Sequence, residues 1–251
     1  PVHGDPNWCQ VDRHTFDTAE FGPADTLHIA VVVYHASETP ILCQIPAPPG
    51  LIAEVSGPGI SVATGAAWKC LDLDMWNNDV PARGFALPYM EDYDATKEPA
   101  NWEAKVFPET QTADWPDAAE IDESAWNSYN QRFLPYLQRH QIDRVRVKAW
   151  SAPTEPPQDL DALSETVDNE PLEKIEAFVP ATGTHIDRLA ESGANAFTFD
   201  LGRERIGFYY LEVDAPEGAV LDISGAELLT KGRPWVFRKG TRYTVRYRAR
   251  A

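Results

Sequence analysis

Residues 197–229 read FTFDLGRERIGFYYLEVDAPEGAVLDISGAELL, and their punctuation decides the fold class. Two apolar runs, residues 206–213 and 219–223, flank Ala215, Pro216, Glu217 and Gly218. Proline presets φ at the second position of a β-turn and glycine suits the fourth. The expected element is a β-hairpin closed by that turn.

Working outward, the same grammar of short apolar runs between Gly/Pro clusters recurs. Residues 27–34, LHIAVVVY, are apolar on both faces, which predicts a central strand covered on both sides. Residues 51–55 and 60–63 are strand-like and separated by Ser56, Gly57, Pro58 and Gly59, a strong turn signal. Trp68, Trp76 and Trp102 lie among turn residues and suit aromatic plugs. Residues 115–137 carry a partial helical period cut by Pro135, so a short helix or irregular connector is expected there. Residues 143–150, DRVRVKAW, alternate as a half-buried strand does. Residues 151–173 are rich in Pro, Asp and Glu and read as an exposed loop. In residues 241–250, TRYTVRYRAR, period-two alternation puts Arg242, Arg246, Arg248 and Arg250 on one strand face, which predicts a solvated or ion-paired surface. This strand would leave an open sheet edge unless another segment covers it.

The fold class expected is mainly β: two antiparallel, jelly-roll-like β-sandwich modules, joined by a short helical or irregular connector. The first spans 1–110, the connector 111–183, and part of a second sandwich 184–251. At 251 residues with 43% hydrophobic content the chain can bury a substantial core.

Charge and composition exclude some function classes. A net charge of −17 disfavours nucleic acid, whose phosphates need clustered Lys and Arg. The longest apolar run, residues 29–34, is far short of the ~20 residues of a membrane helix. Cys9, Cys43 and Cys70 are too few and too scattered for a disulfide framework; buried thiols in a reducing, cytoplasmic compartment are the expectation, with localisation otherwise open. The six histidines are dispersed and form no Ser/His/Asp or HExxH arrangement.

Two stretches carry a family resemblance. Tyr89, Met90, Glu91, Asp92, Tyr93, Asp94 and Ala95, followed by Glu98, Pro99, Ala100, Asn101 and Trp102, form the first. Asp200, Leu201, Gly202, Arg203 and Glu204, then Gly207, Pro216-Glu217-Gly218 and Gly225-Ala226-Glu227-Leu228-Leu229, form the second. Together they resemble the β-sandwich modules that precede the catalytic barrel of bacterial α-L-rhamnosidases. Thr96 stands where that family usually has Arg, and Asn101 where it usually has Gly. The resemblance implies a parent enzyme that cleaves terminal α-L-rhamnosyl bonds with inversion, using two carboxyl groups roughly 6.5–9.5 Å apart. It implies as partners rhamnose-containing glycosides and an (α/α)6 barrel of the same polypeptide, lying outside these residues. It also implies that both modules continue beyond Pro1 and Ala251, and no catalytic residue is expected within the chain.

For ligand binding the candidate stretch is residues 72–79, DLDMWNND. Trp76 offers a flat ring to the C–H side of a pyranose, while Asn77 and Asn78 can bond hydroxyls. Some rhamnosidase sandwiches bind rhamnose with Ca²⁺, and Asp72, Asp74 and Asp79 supply the hard oxygens that Ca²⁺ takes; no other cofactor is expected. The competing reading is a solvated turn with Trp76 tucked against the sheet. Glu91, Asp92 and Asp94 around Tyr93 read as loop acids that cap local donors, and Arg203 with Glu204 as an ion pair at a sheet corner. Two functions follow: the non-catalytic sandwich portion of an α-L-rhamnosidase-like hydrolase, or a free-standing carbohydrate-binding sandwich.

Overall fold

The computed structural model describes residues 10–16, 28–35, 49–84, 89–102, 109–121, 130–132, 135, 140, 144–150, 174–180, 196–205, 207, 211–230, 233–238 and 241–250. The chain is mainly β, and the only helical turns among the described residues are two short 3-10 segments, Ala95–Lys97 and Glu109–Gln111. No helix among them is long and apolar enough to cross a membrane. Two compact units divide it: Pro1–Asp74 with Lys97–Pro135, and Met75–Thr96 with Tyr136–Ala251.

In the first unit, β1 (Gln10–Val11) and β5 (Asn130–Gln131) form a short parallel pair. Beside that pair Arg132 Nη1 lies 3.3 Å from Asp12 Oδ1. The turn read at residues 56–59 is present: β2 (Glu54–Gly57) and β3 (Ile60–Ala63) pair antiparallel, with Gly57 opposite Ile60. Pro58 and Gly59 are the two central residues, and Gly59 has φ +78, the left-handed value a type II turn demands after proline. The hairpin is tied at its base, where Thr64 N–H donates to Ala53 O at 2.9 Å. Trp68 is half-buried, and its indole N–H donates to Ala63 O at 2.9 Å.

One expectation fails in this unit. Residues 28–35 are not in a strand, and Val31, Val33 and Tyr34 are 48, 47 and 55% exposed. A run that is apolar on both faces becomes a central strand only when partners flank it, and no strand among the described residues pairs with this one; Leu27 lies outside them. Cys70 is exposed rather than buried, next to Lys69, which pairs with Asp117 in an isolated bridge with both side chains exposed. Cys9 and Cys43 lie outside the described residues.

The second unit contains two three-stranded sheets. In the first, β6 (Arg144–Trp150) runs antiparallel between β7 (Lys174–Pro180) and β8 (Ala196–Asp200). The strand read at residues 143–150 is thus present, at the centre of its sheet. A local cap follows β8, where Gly202 N–H donates to Asp200 Oδ1 at 2.8 Å. The second sheet has the order β4 (Glu91–Asp94), β14 (Thr244–Arg248), β9 (Val220–Ser224). In it β14 runs parallel to β4 and antiparallel to β9. Two small hairpins, β10 (Leu229–Thr230) with β11 (Arg233–Pro234) and β12 (Phe237–Arg238) with β13 (Thr241–Arg242), lie between β9 and β14 in the chain.

The hairpin expected between residues 206–213 and 219–223 is not what forms. Leu211–Val213 is not in a strand, Ile206 and 208–210 lie outside the described residues, and β9 pairs with the distant β14 instead. The turn itself is real but one residue later than expected: Ala219 N–H donates to Pro216 O at 3.0 Å, with Gly218 third at φ +80. Glycine is needed at that third position because only it takes positive φ without steric cost. The open edge expected at residues 241–250 is likewise corrected, since β14 is paired on both sides. The helix considered for residues 115–137 falls largely outside the described residues, and Asn130–Gln131 there is strand. The boundaries expected at 110 and 183 run differently from the two units, because β4 joins β14 and carries residues 75–96 to the C-terminal part.

Candidate functional site

The sheet β4–β14–β9 is extended by one more segment. Trp76 lies directly opposite Tyr93 in an isolated antiparallel bridge. It is flanked by Asn77 N–H donating to Asp92 O at 2.9 Å and Asp94 N–H donating to Met75 O at 2.8 Å. Combined with the registers of the sheet, this aligns two rows across the strands. Trp76, Tyr93, Tyr247 and Leu221 form one row; Asn77, Asp92, Arg246 and Asp222 form the next. Successive side chains on a strand point to opposite faces, so the aromatic row and the polar row occupy opposite sides of the sheet.

The polar side is the better covered on the central strand. Thr244 is 0% and Arg246 7% exposed, whereas Val245 and Tyr247 are half-buried. Arg246 Nε donates to Asp222 Oδ1 at 2.7 Å and Nη2 to Asp222 Oδ2 at 3.1 Å, a bidentate pair. Asn77 Nδ2 donates to Asp92 Oδ2 at 3.0 Å. Ser224 and Thr244 hydroxyls meet at 2.9 Å. Two of the four arginines read from alternation are ion-paired: Arg246 with Asp222, and Arg248 Nε with Asp94 Oδ2 at 3.7 Å.

On the other side, the Trp76 and Tyr93 rings meet edge to face, with centroids 4.9 Å apart and planes at 68°. Tyr93 and Tyr247 stack at 5.8 Å and 12°. Such pairs contribute about 0.5–1.5 kcal/mol beyond area burial. Tyr93 is thus in contact with a ring on each side. Trp76 is half-buried.

The residues singled out at 72–79 fall on either side of the division between the two units. Asp72 and Asp74 belong to the first unit and residues 76–79 to the second. Asp74 Oδ2 lies 3.1 Å from Lys97 Nζ. Asp79 N–H donates to Asn77 Oδ1 at 2.9 Å, an Asx turn. Asn78 is exposed at the same bend. Trp76 and Asn77 face opposite sides of the sheet, so one sugar ring cannot use both. Among the described residues no three of His, Cys, Asp and Glu gather into a group that could hold a metal, and Asp72, Asp74 and Asp79 do not fit a shared Ca²⁺ there.

Glu91, Asp92 and Asp94, expected in a loop, lie instead in β4, because that segment pairs with β14. Asp94 Oδ1 accepts from Thr96 N–H at 3.1 Å and from Thr96 Oγ1 at 2.6 Å. Asn101 takes φ +56, a left-handed conformation that glycine favours and asparagine tolerates. Arg203 and Glu204 are exposed. Tyr93 and Tyr247 were not singled out from sequence; the signal was there in their alternation, but the register that aligns them joins strands more than 150 residues apart. No protein-family model, curated protein or solved structure matches this chain.

Proposed function

We propose that this chain is the non-catalytic β portion of an α-L-rhamnosidase-like glycoside hydrolase, presenting a carbohydrate-binding sheet beside a catalytic barrel outside these 251 residues. One observation carries the reading: the two stretches that resemble the family, around Tyr89–Asp94 and Val220–Ser224, supply the two strands that flank β14. The sheet they build ends in a partly exposed tryptophan. Asn101 adds support, because its positive φ is what the family's glycine at that position would serve. Trp76 would take the C–H face of a rhamnosyl ring, since concave or flat apolar surfaces with a few convergent polar groups are what sugars use.

The reading assigns no general acid or nucleophile. Inverting hydrolysis needs two carboxyl groups across one bond with room for water; of the acids of this sheet, Asp222, Asp94 and Asp92 pair with Arg246, with Arg248 and Thr96, and with Asn77, and Glu91 lies 3.8 Å from Arg83. Nothing in the proposal depends on calcium. The test is an aryl α-L-rhamnoside incubated with the chain, with and without Ca²⁺. Release should be no faster than in buffer, while the same substrate is turned over by the chain joined to its barrel. Turnover by the chain alone, abolished by changing one Asp or Glu within it, would overturn the proposal.

A further inference from the structure

The chain has two methionines, Met75 and Met90. Both belong to the second unit and both are buried, at 2 and 1% exposure. Their sulfurs differ in one respect. Tyr93 Oη donates to Met75 Sδ at 3.4 Å, whereas among the described residues no hydrogen bond reaches the Met90 sulfur. A thioether is a weak acceptor, so the bond adds little to stability. Its chemical consequence is larger, because it sets an oxidisable phenol against a buried sulfur.

The Tyr93 ring is also the middle of a contact chain. Its centroid lies 4.9 Å from that of Trp76 and 5.8 Å from that of Tyr247, the second pair stacked at 12°, distances at which aromatic rings are in contact. An electron crosses such contacts without a gap. A thioether that has lost one electron is a stronger oxidant than a phenol that gives up an electron together with its proton, so a vacancy formed at Met75 runs downhill to Tyr93. There it sits among two further aromatic rings and has no drive to return to the sulfur. Met75 is where oxidation would do harm. A sulfoxide makes the apolar side chain polar and disrupts its packing, next to the backbone bond that Met75 O accepts from Asp94 N–H at 2.8 Å.

We propose that Tyr93 is a redox guard of Met75, drawing one-electron oxidation away from the thioether. A radical oxidant of the sulfate class takes one electron from Met75 and leaves as its anion. The sulfur radical cation then takes an electron from Tyr93, which releases its hydroxyl proton to water; Met75 is restored and Tyr93 becomes a neutral phenoxyl radical. A reductant of the ascorbate class gives that radical one electron and one proton and returns the phenol. No step needs a bound sugar or an open face on the indole.

The test treats the full chain with sulfate radical, generated by photolysis of persulfate, and separately with hydrogen peroxide, which transfers an oxygen atom to sulfur and leaves no electron vacancy to relay. Sulfoxide at Met75 and at Met90 is read by peptide mass spectrometry at matched total methionine oxidation. In the wild-type chain the share carried by Met75 should be several-fold smaller with the radical than with peroxide. Tyr93→Phe, which keeps the ring and removes the phenol, should abolish that difference by raising the Met75 share with the radical alone; its melting temperature is checked against wild type. The wild-type comparison of the two oxidants needs no variant and stands even if Tyr93→Phe misfolds. Equal Met75 shares under both oxidants in the wild type overturn the proposal. So does a rise in Tyr93→Phe that is as large with peroxide as with the radical, which is what loosened packing around the sulfur would give.

Discussion

Arg246 sits at 7% exposure in the central strand of the second unit's sheet, held by two bonds to Asp222, itself 17% exposed in its side chain. A buried ion pair of this geometry is worth little against two apolar residues, but removing one member strands the other charge. Asp222→Ala should therefore cost about 3–5 kcal/mol in urea unfolding. The double change Asp222→Leu with Arg246→Met should recover most of that, since it leaves no unpaired charge. Equal losses in the single and double variants would mean that the pair is not desolvated. At this scale the alternation of TVRYR was legible and put the arginines on one face. Which face the protein covers was not legible, because that depends on Asp222 and Asp92 arriving from strands 24 and 154 residues away in the sequence.

The turn at Pro216 shows how far an element can be read locally. Proline and glycine marked a turn here but one residue off: Pro216 is first rather than second, and Gly218 third rather than fourth, at φ +80, where a Cβ would meet no atom within 4 Å. The cost of a side chain there is then all backbone: Gly218→Ala should lower stability by about 1 kcal/mol, the left-handed penalty. Gly57→Ala, also in open space but without positive φ, should change it by less. Urea midpoints for the two variants decide this, and equal effects would contradict the turn assignment. Turn chemistry is local, and so the turn at 56–59 could be read from sequence, as could one at 215–218 that the structure places a single residue later. Strand partners are not. The run at 219–223 was given the neighbour that precedes it, whereas its partner is β14, and the run at 27–34 was given partners that the described residues do not supply.

For the molecule as a whole, composition and Gly/Pro spacing were enough to predict a mainly β chain, because both act through local geometry. The division into units was not legible, since residues 75–96 leave the N-terminal part to pair with the C-terminal strand. The candidate site shows the same split. Trp76 was singled out from its neighbourhood of Asp and Asn, but its strand partner Tyr93 follows only from a bridge to a strand that the local sequence does not mark. The central claim is that this sheet binds a sugar at Trp76. Its most direct test follows the indole N–H resonance of Trp76, assigned by its loss in Trp76→Phe, through a titration with methyl α-L-rhamnopyranoside. The account predicts a saturable shift of that resonance; a Trp76 signal that stays in place to the highest sugar concentration, in a chain that remains folded, would contradict it.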